Sequence, residues 1–372
     1  MRNSFRLGSL FGVTINVHFS WLFIFTLVTL SLVDEFAGRF PQLPGGLQVG
    51  VGVVASLFFF ASVLFHEMAH SLLAIHNRQP VRAITLFVFG GVSQIEKEAK
   101  QPGTEIQVAL IGPISSFFLA AAFGMVWFLS RVSVPVIGSV AAWLATINLA
   151  LGIFNLLPGL PLDGGRVLRG VIWSATGDRT RATRISGFVG IGLGYLIILI
   201  GIWFIFYGKN VGNGIWFILI GLFLANAARA SMYQVEIERA VDGVRADQVM
   251  RSDLGYIPAG MSIAEFVGNS WLSTGGRCYL VGEPPVPRGI ITHSDARAVP
   301  HGQWANTSVQ AAMKPLAKVH SVEPDASLEE VIRLFDTQRI SVVAVTSEGK
   351  LLGIIEREQL LRSIRNRMDL AA

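Results

Sequence analysis

The stretch ASVLFHEMAHSLLA, residues 61–74, places two imidazoles and a carboxylate inside an otherwise apolar segment. Residues four apart lie on one face of a helix, so His66 and His70 can reach one metal ion while Glu67 projects beside it. Zinc requires a third protein ligand and an open position for water. Ionisable groups in an apolar span are costly unless they are paired or bound to metal. The stretch therefore predicts a zinc site, with a polar helix patch lining an ion path as the alternative.

The composition indicates a membrane protein. Hydrophobic residues make up 52% of the 372-residue chain and charged residues only 15%, which is more apolar than a soluble chain needs for its core. Stretches of about 20 apolar residues can cross a bilayer as helices. The sequence has six such stretches, at roughly 12–33, 49–75, 105–130, 136–157, 185–207 and 213–229. The first has no convincing cleavage site after it, so we expect it to be a retained span.

The positive charges predict the topology. Lys and Arg accumulate on the cytoplasmic side of membrane proteins. They are frequent before the first span and in the connections 78–100 and 166–184, whereas the other connections carry only Arg39, Arg131 and Lys209. We therefore expect a multi-pass protein of the plasma (inner) membrane with both termini in the cytoplasm. The net charge of +5 fits this bias, so a nucleic-acid partner is not expected.

The single cysteine, Cys278, excludes a site with several thiolates, so the third metal ligand should be an Asp, Glu or His from another intramembrane segment. The candidate is Asp163 in NLLPGLPLDGGR, residues 155–166, where two prolines interrupt the fourth span and two glycines let backbone approach closely. A helix broken at membrane depth is typical of a functional site. The alternative is that Asp163 caps a helix at the membrane surface.

The connection RAITLFVFGGVSQI, residues 82–95, has the β-branched and aromatic content of two short strands turned around Gly90-Gly91. Strand backbone at membrane depth must be buried in protein or face a water-filled cavity. An unpaired strand edge beside such a cavity could accept an extended peptide. An ordinary surface hairpin is the alternative.

Together, HEMAH and NLLPGLPLDGG resemble the motifs of the site-2 protease family of intramembrane zinc metalloproteases. The resemblance covers roughly residues 5–230 and includes Gly112-Pro113 in the third span and INVHFSW, residues 15–21, in the first. It implies that His66, His70 and Asp163 bind one zinc ion and that Glu67 activates water. It also implies substrate contacts in the broken segment and in the hairpin, at Asn155, Pro161, Phe89, Gly90 and Gly91. His18, within INVHFSW, is read as a structural residue.

The family resemblance implies hydrolysis of peptide bonds in membrane-protein substrates, as in regulated intramembrane proteolysis. Anti-sigma factors, membrane-bound transcription factors and remnant signal peptides are the substrate classes it suggests. The rival hypothesis is a membrane transport or scaffold protein without protease activity. That rival predicts no bound zinc and no loss of function when His66 or Asp163 is altered.

The C-terminal third is a tandem duplication. Met250, Ser262 and Gly289 recur as Met313, Ser327 and Gly353, at offsets of about 64 residues, within alternating strand and helix patterns. The repeated unit resembles the CBS domain pair. The predicted fold is thus a membrane domain of six transmembrane helices with a re-entrant β-hairpin, followed by a cytosolic α/β pair. The predicted boundaries are 1–230 for the membrane domain, 231–243 for a linker, 244–304 for the first CBS domain and 305–372 for the second.

Nucleotide binding is a further implication of the CBS resemblance. In GIITHSDA, residues 289–296, Thr292 and Asp295 stand where nucleotide-binding CBS domains contact phosphate and ribose. The second copy reads GIIEREQL, with Glu356 and Gln359 at the equivalent positions, so we expect at most one site for ATP, ADP or AMP. We also expect a homodimer formed through the CBS pair, and the alternative to nucleotide binding is homodimerisation without a ligand.

Overall fold

The structure is a computed structural model that describes residues 4–95, 99–208, 210–272, 278–284 and 286–371. The chain divides into two compact units, Met1–Val235 and Glu236–Ala372. The predicted linker, 231–243, is mostly helical, because one helix continues to Val241. The predicted domain boundaries stay predictions.

The first unit begins with two strands, β1 (Ser4–Leu10) and β2 (Val13–His18), and continues into a set of helices interrupted by one hairpin. The helices and hairpin strands are α1 (Phe19–Arg39), α2 (Gly45–His76), β3 (Val81–Phe87), β4 (Gly90–Ile95), α3 (Pro102–Ser130), α4 (Pro135–Asn155), α5 (Asp163–Thr176), α6 (Arg179–Phe206) and α7 (Val211–Val241).

Six of these helices are long and apolar enough to cross a membrane: α1, α2, α3, α4, α6 and α7. They match the six predicted apolar stretches. The first prediction was wrong at its start, because residues 13–18 form β2 and the helix begins only at Phe19. Buried Val13, Ile15 and Val17 alternate with less buried neighbours, which is the two-residue period of a strand. His18 caps α1, since its Nδ1 accepts a hydrogen bond from the amide of Ser20.

The predicted hairpin is present, but it belongs to a larger sheet. The four strands follow the order β1-β2-β3-β4, with β2 parallel to β3 and the other pairs antiparallel. The turn falls at Val88-Phe89, so the prediction of a turn at Gly90-Gly91 was wrong. Both glycines begin β4. Within the described residues, β4 is an edge of the sheet, and the re-entrant placement of the hairpin stays a prediction.

The second unit contains the two repeats. The elements of the first repeat are α8 (Ala246–Val249), β5 (Tyr256–Ile257), α9 (Ile263–Leu272), β6 (Cys278–Glu283), β7 (Val286–Thr292) and α10 (His293–Ala298). Those of the second are α11 (Val309–Ala312), β8 (Lys314–Pro315), β9 (Ser321–Val322), α12 (Leu328–Gln338), β10 (Val342–Ser347), β11 (Lys350–Glu356) and α13 (Arg357–Ala371). Short 3₁₀ turns lie at His301–Gln303 and Leu316–Lys318.

The repeats exchange their first extended segments. Lys314 pairs with Ile290 of β7 in the first repeat, and Arg251 pairs with Ile354 of β11 in the second. Glycine is required at 289 and 353, because the backbone of Lys314 lies against Gly289 and the backbone of Arg251 lies against Gly353. Met250 and Met313, which precede Arg251 and Lys314, therefore occupy equivalent positions in the two repeats.

Candidate metal centre

Two imidazoles of α2 form the base of the site. His66 and His70 are one helical turn apart, both are 4% exposed, and their Nε2 atoms are 3.2 Å apart. The turn of α2 therefore does what the HEMAH spacing predicts: it aims both rings at one point.

The carboxylate of Asp163 completes the cluster. Its Oδ2 lies 3.2 Å from Nε2 of His66 and 3.2 Å from Nε2 of His70. Asp163 is the first residue of α5, and Leu162 holds the N-cap position with no side-chain cap. The capping role considered for Asp163 was therefore wrong, since its Oδ2 faces the imidazoles. The three residues are all buried and form a group able to hold a metal ion.

The dimensions of this triangle fit zinc. Zn–N and Zn–O bonds of about 2.0–2.1 Å in a tetrahedral site place neighbouring ligand atoms roughly 3.3–3.4 Å apart. The three observed separations are 3.2 Å each. Two neutral imidazoles and one carboxylate are a ligand set that catalytic zinc sites use, with the fourth position left for water.

Hydrogen bonds at the Nδ1 atoms fix the orientation of the two imidazole rings. His70 Nδ1 lies 2.6 Å from the carbonyl oxygen of Val108, and a carbonyl only accepts, so Nδ1 carries the proton and Nε2 carries the lone pair. His66 Nδ1 lies 2.8 Å from Oγ of Ser116. Such partners orient metal-binding histidines and raise their basicity.

Gly112 leaves the space that the ligands occupy. A Cβ at this position would lie 2.5 Å from Cε1 of His70 and 2.7 Å from Nε2 of His66, and closer still to Nε2 of His70. Val108, Gly112 and Ser116 recur every four residues, so one stripe of α3 holds both rings.

The broken segment brings α5 close to the end of α4. A Cβ on Gly164 would overlap the backbone of Leu156, and one on Gly165 would overlap the backbone of Gly159. Only glycine permits this approach. The glycines that follow Asp163 are thus required by packing.

Glu67 lies beside the cluster and is only partly buried. Its Oε2 accepts a hydrogen bond of 2.9 Å from Oγ of Ser93 in β4. Gly91 of β4 packs against the same side chain, because a Cβ there would overlap Cγ of Glu67 and lie 3.0 Å from its Cδ. The edge strand β4 therefore lies directly against the glutamate of HEMAH.

The predicted substrate residues lie in two places. Gly91 lies against Glu67, whereas Phe89 in the turn stacks on Phe223 of α7, with ring centroids 4.3 Å apart. Asn155 is the last residue of α4, and its amide donates to the carbonyl of Leu151 within that helix. Pro161 follows a cis peptide bond in the segment that leads to Asp163. Substrate contact at these residues stays a prediction.

Several residues around the cluster escaped the sequence reasoning. Ser116, Val108 and Ser93 hold the ligands and the glutamate, and the buried Glu105 binds two arginines of α5. The clearest available signal was Glu105 itself, an acidic residue at the start of an apolar span.

In the second unit, Thr292 and Asp295 form a capping box at the start of α10. Asp295 Oδ2 accepts from the amide and hydroxyl of Thr292, and Thr292 Oγ1 accepts from the amide of Asp295. Nζ of Lys314 lies 3.0 Å from Oδ1 of Asp295. The capping box gives both residues a structural role. A nucleotide contact stays a prediction.

Six helices able to cross a membrane, a buried His–His–Asp cluster able to hold a metal ion and an adjacent glutamate are the features expected of a membrane metalloprotease. The model of "Peptidase family M50" matches residues 54–136 and 130–199, and the model of "CBS domain" matches residues 309–366.

Two relatives that match almost the whole chain are described as putative zinc metalloproteases. "Putative zinc metalloprotease sll0528" of Synechocystis sp. is 35% identical over 378 residues, covering 98% of this chain and 96% of that protein. "Putative zinc metalloprotease Rip3" of Mycobacterium tuberculosis is 32% identical over 368 residues, covering 98% and 93%. The solved structure of a site-2 protease from Methanocaldococcus jannaschii is 26% identical and matches with a TM-score of 0.45, covering 62% of this chain and 95% of that one. The chain belongs to peptidase family M50, the site-2 protease family of zinc metalloproteases, and it carries a CBS domain.

Proposed function

We propose that the chain is an intramembrane zinc endopeptidase in which His66, His70 and Asp163 bind the metal and Glu67 is the general base. The single observation that carries the proposal is the triangle of Nε2, Nε2 and Oδ2 atoms with 3.2 Å edges, built from residues 97 positions apart in sequence. Zinc bound there supplies Lewis acidity and lowers the pKa of its water to about 7.

Glu67 handles the proton. It accepts the proton of the attacking water and passes it to the leaving amine as the peptide bond breaks. The hydroxyl of Ser93 donates to Oε2 and so holds the carboxylate in one orientation. Partial exposure of Glu67 allows water to reach it, while the burial of the three ligands keeps bulk water from the metal.

The substrate would bind as an added strand on β4. A peptide bond inside a stable helix is inaccessible to a nucleophile, so a transmembrane substrate must be extended before it is cut. Among the described residues β4 is the outermost strand of its sheet, so its outer edge offers main-chain donors and acceptors, and Gly91 lies against Glu67. Asn155 and Pro161 would contact the substrate from the broken segment.

Proline substitutions along β4 test this placement. Proline removes an amide donor, so it should depress cleavage at the alternate positions whose amides face away from β3. The loss should be larger for a helical transmembrane substrate than for a peptide that is already extended. If every proline variant lost the same fraction of the wild-type rate on both substrates, or lost none on either, strand addition would be contradicted.

Metal analysis combined with cleavage of a model transmembrane substrate tests the proposed function. Glu67→Gln should keep one zinc per chain and lose roughly a hundred-fold or more of kcat. Asp163→Asn should lose both zinc and activity. Wild-type cleavage by Glu67→Gln would remove this glutamate from the mechanism, and a zinc-free active enzyme would contradict the proposal as a whole.

The CBS pair would respond to adenine nucleotides through the first repeat. Lys314 is half-exposed beside Asp295, so its ammonium could pair with a phosphate while the carboxylate binds ribose hydroxyls. Titration of the full-length protein with AMP and ATP should show binding that Lys314→Met weakens. No binding at millimolar nucleotide would leave homodimerisation, measured by light scattering, as the role of the pair.

A further inference from the structure

A buried ion cluster links α5 to α3 next to the proposed metal site. Glu105 is 1% exposed, and its Oε1 accepts hydrogen bonds from Nε of Arg166 at 3.1 Å and from Nη2 of Arg169 at 2.5 Å. Arg169 is 8% exposed. Asp163, the proposed ligand, is three residues before Arg166 on the same helix.

The three residues of α5 share one side of the helix. Successive positions three apart are rotated by about 60°, so Asp163, Arg166 and Arg169 span roughly 120°. Gly170 lies on this side as well, where a Cβ would lie 2.5 Å from Cγ1 of Ile106 and 3.2 Å from the carbonyl oxygen of Pro102. This side of α5 therefore packs tightly on the first turn of α3.

The other end of the same stripe of α3 holds the imidazoles. Val108 binds His70, Ser116 binds His66, and Gly112 makes room for both rings. Thus α3 contacts both helices that carry proposed ligands. It hydrogen-bonds the two histidines of α2, and it binds α5, the helix of Asp163, through Glu105.

We propose that Glu105 is a positioning residue that fixes the rotation and depth of α5, and thereby the place of Asp163 in the zinc site, through its bonds to Arg166 and Arg169. The inference rests on the proposed zinc site. Each guanidinium donates one N–H to Oε1, and the two arginines are three residues apart on α5, so the two bonds together restrict both the rotation and the depth of this helix. A shift of α5 by about 1 Å would move Asp163 away from both imidazoles.

The test separates positioning from folding by keeping the local charge constant. Glu105→Gln alone leaves two arginines without their carboxylate, which destabilises a buried site. The double variant Glu105→Gln/Arg169→Met removes one negative and one positive charge, so the net charge of the cluster is unchanged. Glu105→Asp keeps the charge but shortens the reach by one methylene.

Arg166 keeps its charge in the double variant, but its side chain is 23% exposed and can be hydrated, so we expect this variant to fold with a thermal midpoint closer to that of the wild type than Glu105→Gln alone. It should lose zinc to a competing chelator about 10- to 100-fold faster, the range expected when outer partners of a metal site are removed. Its kcat should fall while KM stays within about twofold. Glu105→Asp should lie between the wild type and the double variant. The control is Thr29→Val, which removes a 2.9 Å hydrogen bond to Ser56 between α1 and α2 and should change neither zinc loss nor kcat.

Three outcomes are distinguishable. Faster zinc loss and lower kcat in the folded double variant, with Thr29→Val normal, support positioning by Glu105. Wild-type zinc retention and kcat in the folded double variant, or an effect confined to thermal stability in both Glu105 variants, would overturn the inference while leaving the protease intact. A wild-type protein that neither binds zinc nor cleaves would instead overturn the proposed function on which the inference rests.

Discussion

Substitution of Gly112 by alanine is the perturbation whose effect follows most directly from the geometry. The added Cβ would lie 2.5 Å from Cε1 of His70 and 2.7 Å from Nε2 of His66, whereas ordinary contacts of a Cβ begin at 3.4 Å. The rings must move by roughly 1 Å. The rings cannot move freely, because Val108 and Ser116, which lie on α3 like Gly112, hydrogen-bond their Nδ1 atoms.

The magnitude follows from that displacement. A shift of about 1 Å in a catalytic group costs on the order of a hundred-fold in rate, and loss of the outer partners of a metal ligand costs about 10- to 100-fold in metal affinity. We therefore expect Gly112→Ala to retain less zinc after dialysis against a weak chelator, and to cleave a transmembrane substrate at least about a hundred-fold more slowly.

A matched control lies on the same helix. Gly124 of α3 has nothing within 4 Å of an added Cβ, so Gly124→Ala should keep zinc and activity. Alanine is also the better helix former, by about 1 kcal/mol, so the control should not lose stability. Zinc content by mass spectrometry and cleavage by gel assay measure both variants. Gly112→Ala with the zinc content and rate of the wild type would refute the packing argument.

Further substitutions probe the glutamate and the second unit. Gly91→Ala pushes a Cβ into Cγ of Glu67 and should lower kcat about 10- to 100-fold without zinc loss; unchanged kcat would argue against β4 lying at the base. Ser93→Ala removes the bond to Oε2 and should cost about tenfold in kcat, measured on the same substrate, while a change confined to KM would contradict an orienting role. Burial, and then the nearby Glu356, raise the pKa of the Cys278 thiol to about 12, so maleimide should label the native protein at pH 8 at least about a thousand-fold more slowly than the unfolded protein. Because folding raises this pKa, the second unit should lose stability as the pH rises above about 9, and rapid native labelling would contradict the burial.

The sequence predicted the centre of the site because its signals are local. Two histidines one turn apart need only a helix to converge, and a broken span with paired glycines marks the place where a distant carboxylate can approach. Chain order alone does not reveal the distance between Asp163 and the histidines. The broken span made Asp163 the candidate third ligand, and the family resemblance implied the same ligand set.

The surroundings of the site could not be predicted in the same way. Val108 acts through its backbone carbonyl and Gly112 through an absent side chain, so neither residue type announces its role. Glu105 differs, because a carboxylate at the start of an apolar span demands a partner. The sequence does not say whether that partner is Arg166, Arg169 or water.

The sequence-based prediction of the fold was wrong in two places, and both errors have physical causes. Residues 13–18 are apolar enough to extend a predicted span, but their alternation of buried and less buried positions is that of a strand. The Gly90-Gly91 pair suggested a turn because glycine tolerates positive φ, which Gly90 has. Gly91 is needed instead for the approach of β4 to Glu67, a tertiary contact that no turn rule contains.

Zinc K-edge absorption of the purified full-length protein reads the identity and number of the metal's ligands. We expect one zinc per chain with two imidazole nitrogens and one carboxylate oxygen at about 2.0–2.2 Å, together with a further light atom from water. The Asp163→Asn variant should lose the metal or its oxygen ligand. A zinc ion with the same coordination shell in wild type and in a His66→Ala/Asp163→Asn variant would contradict the account.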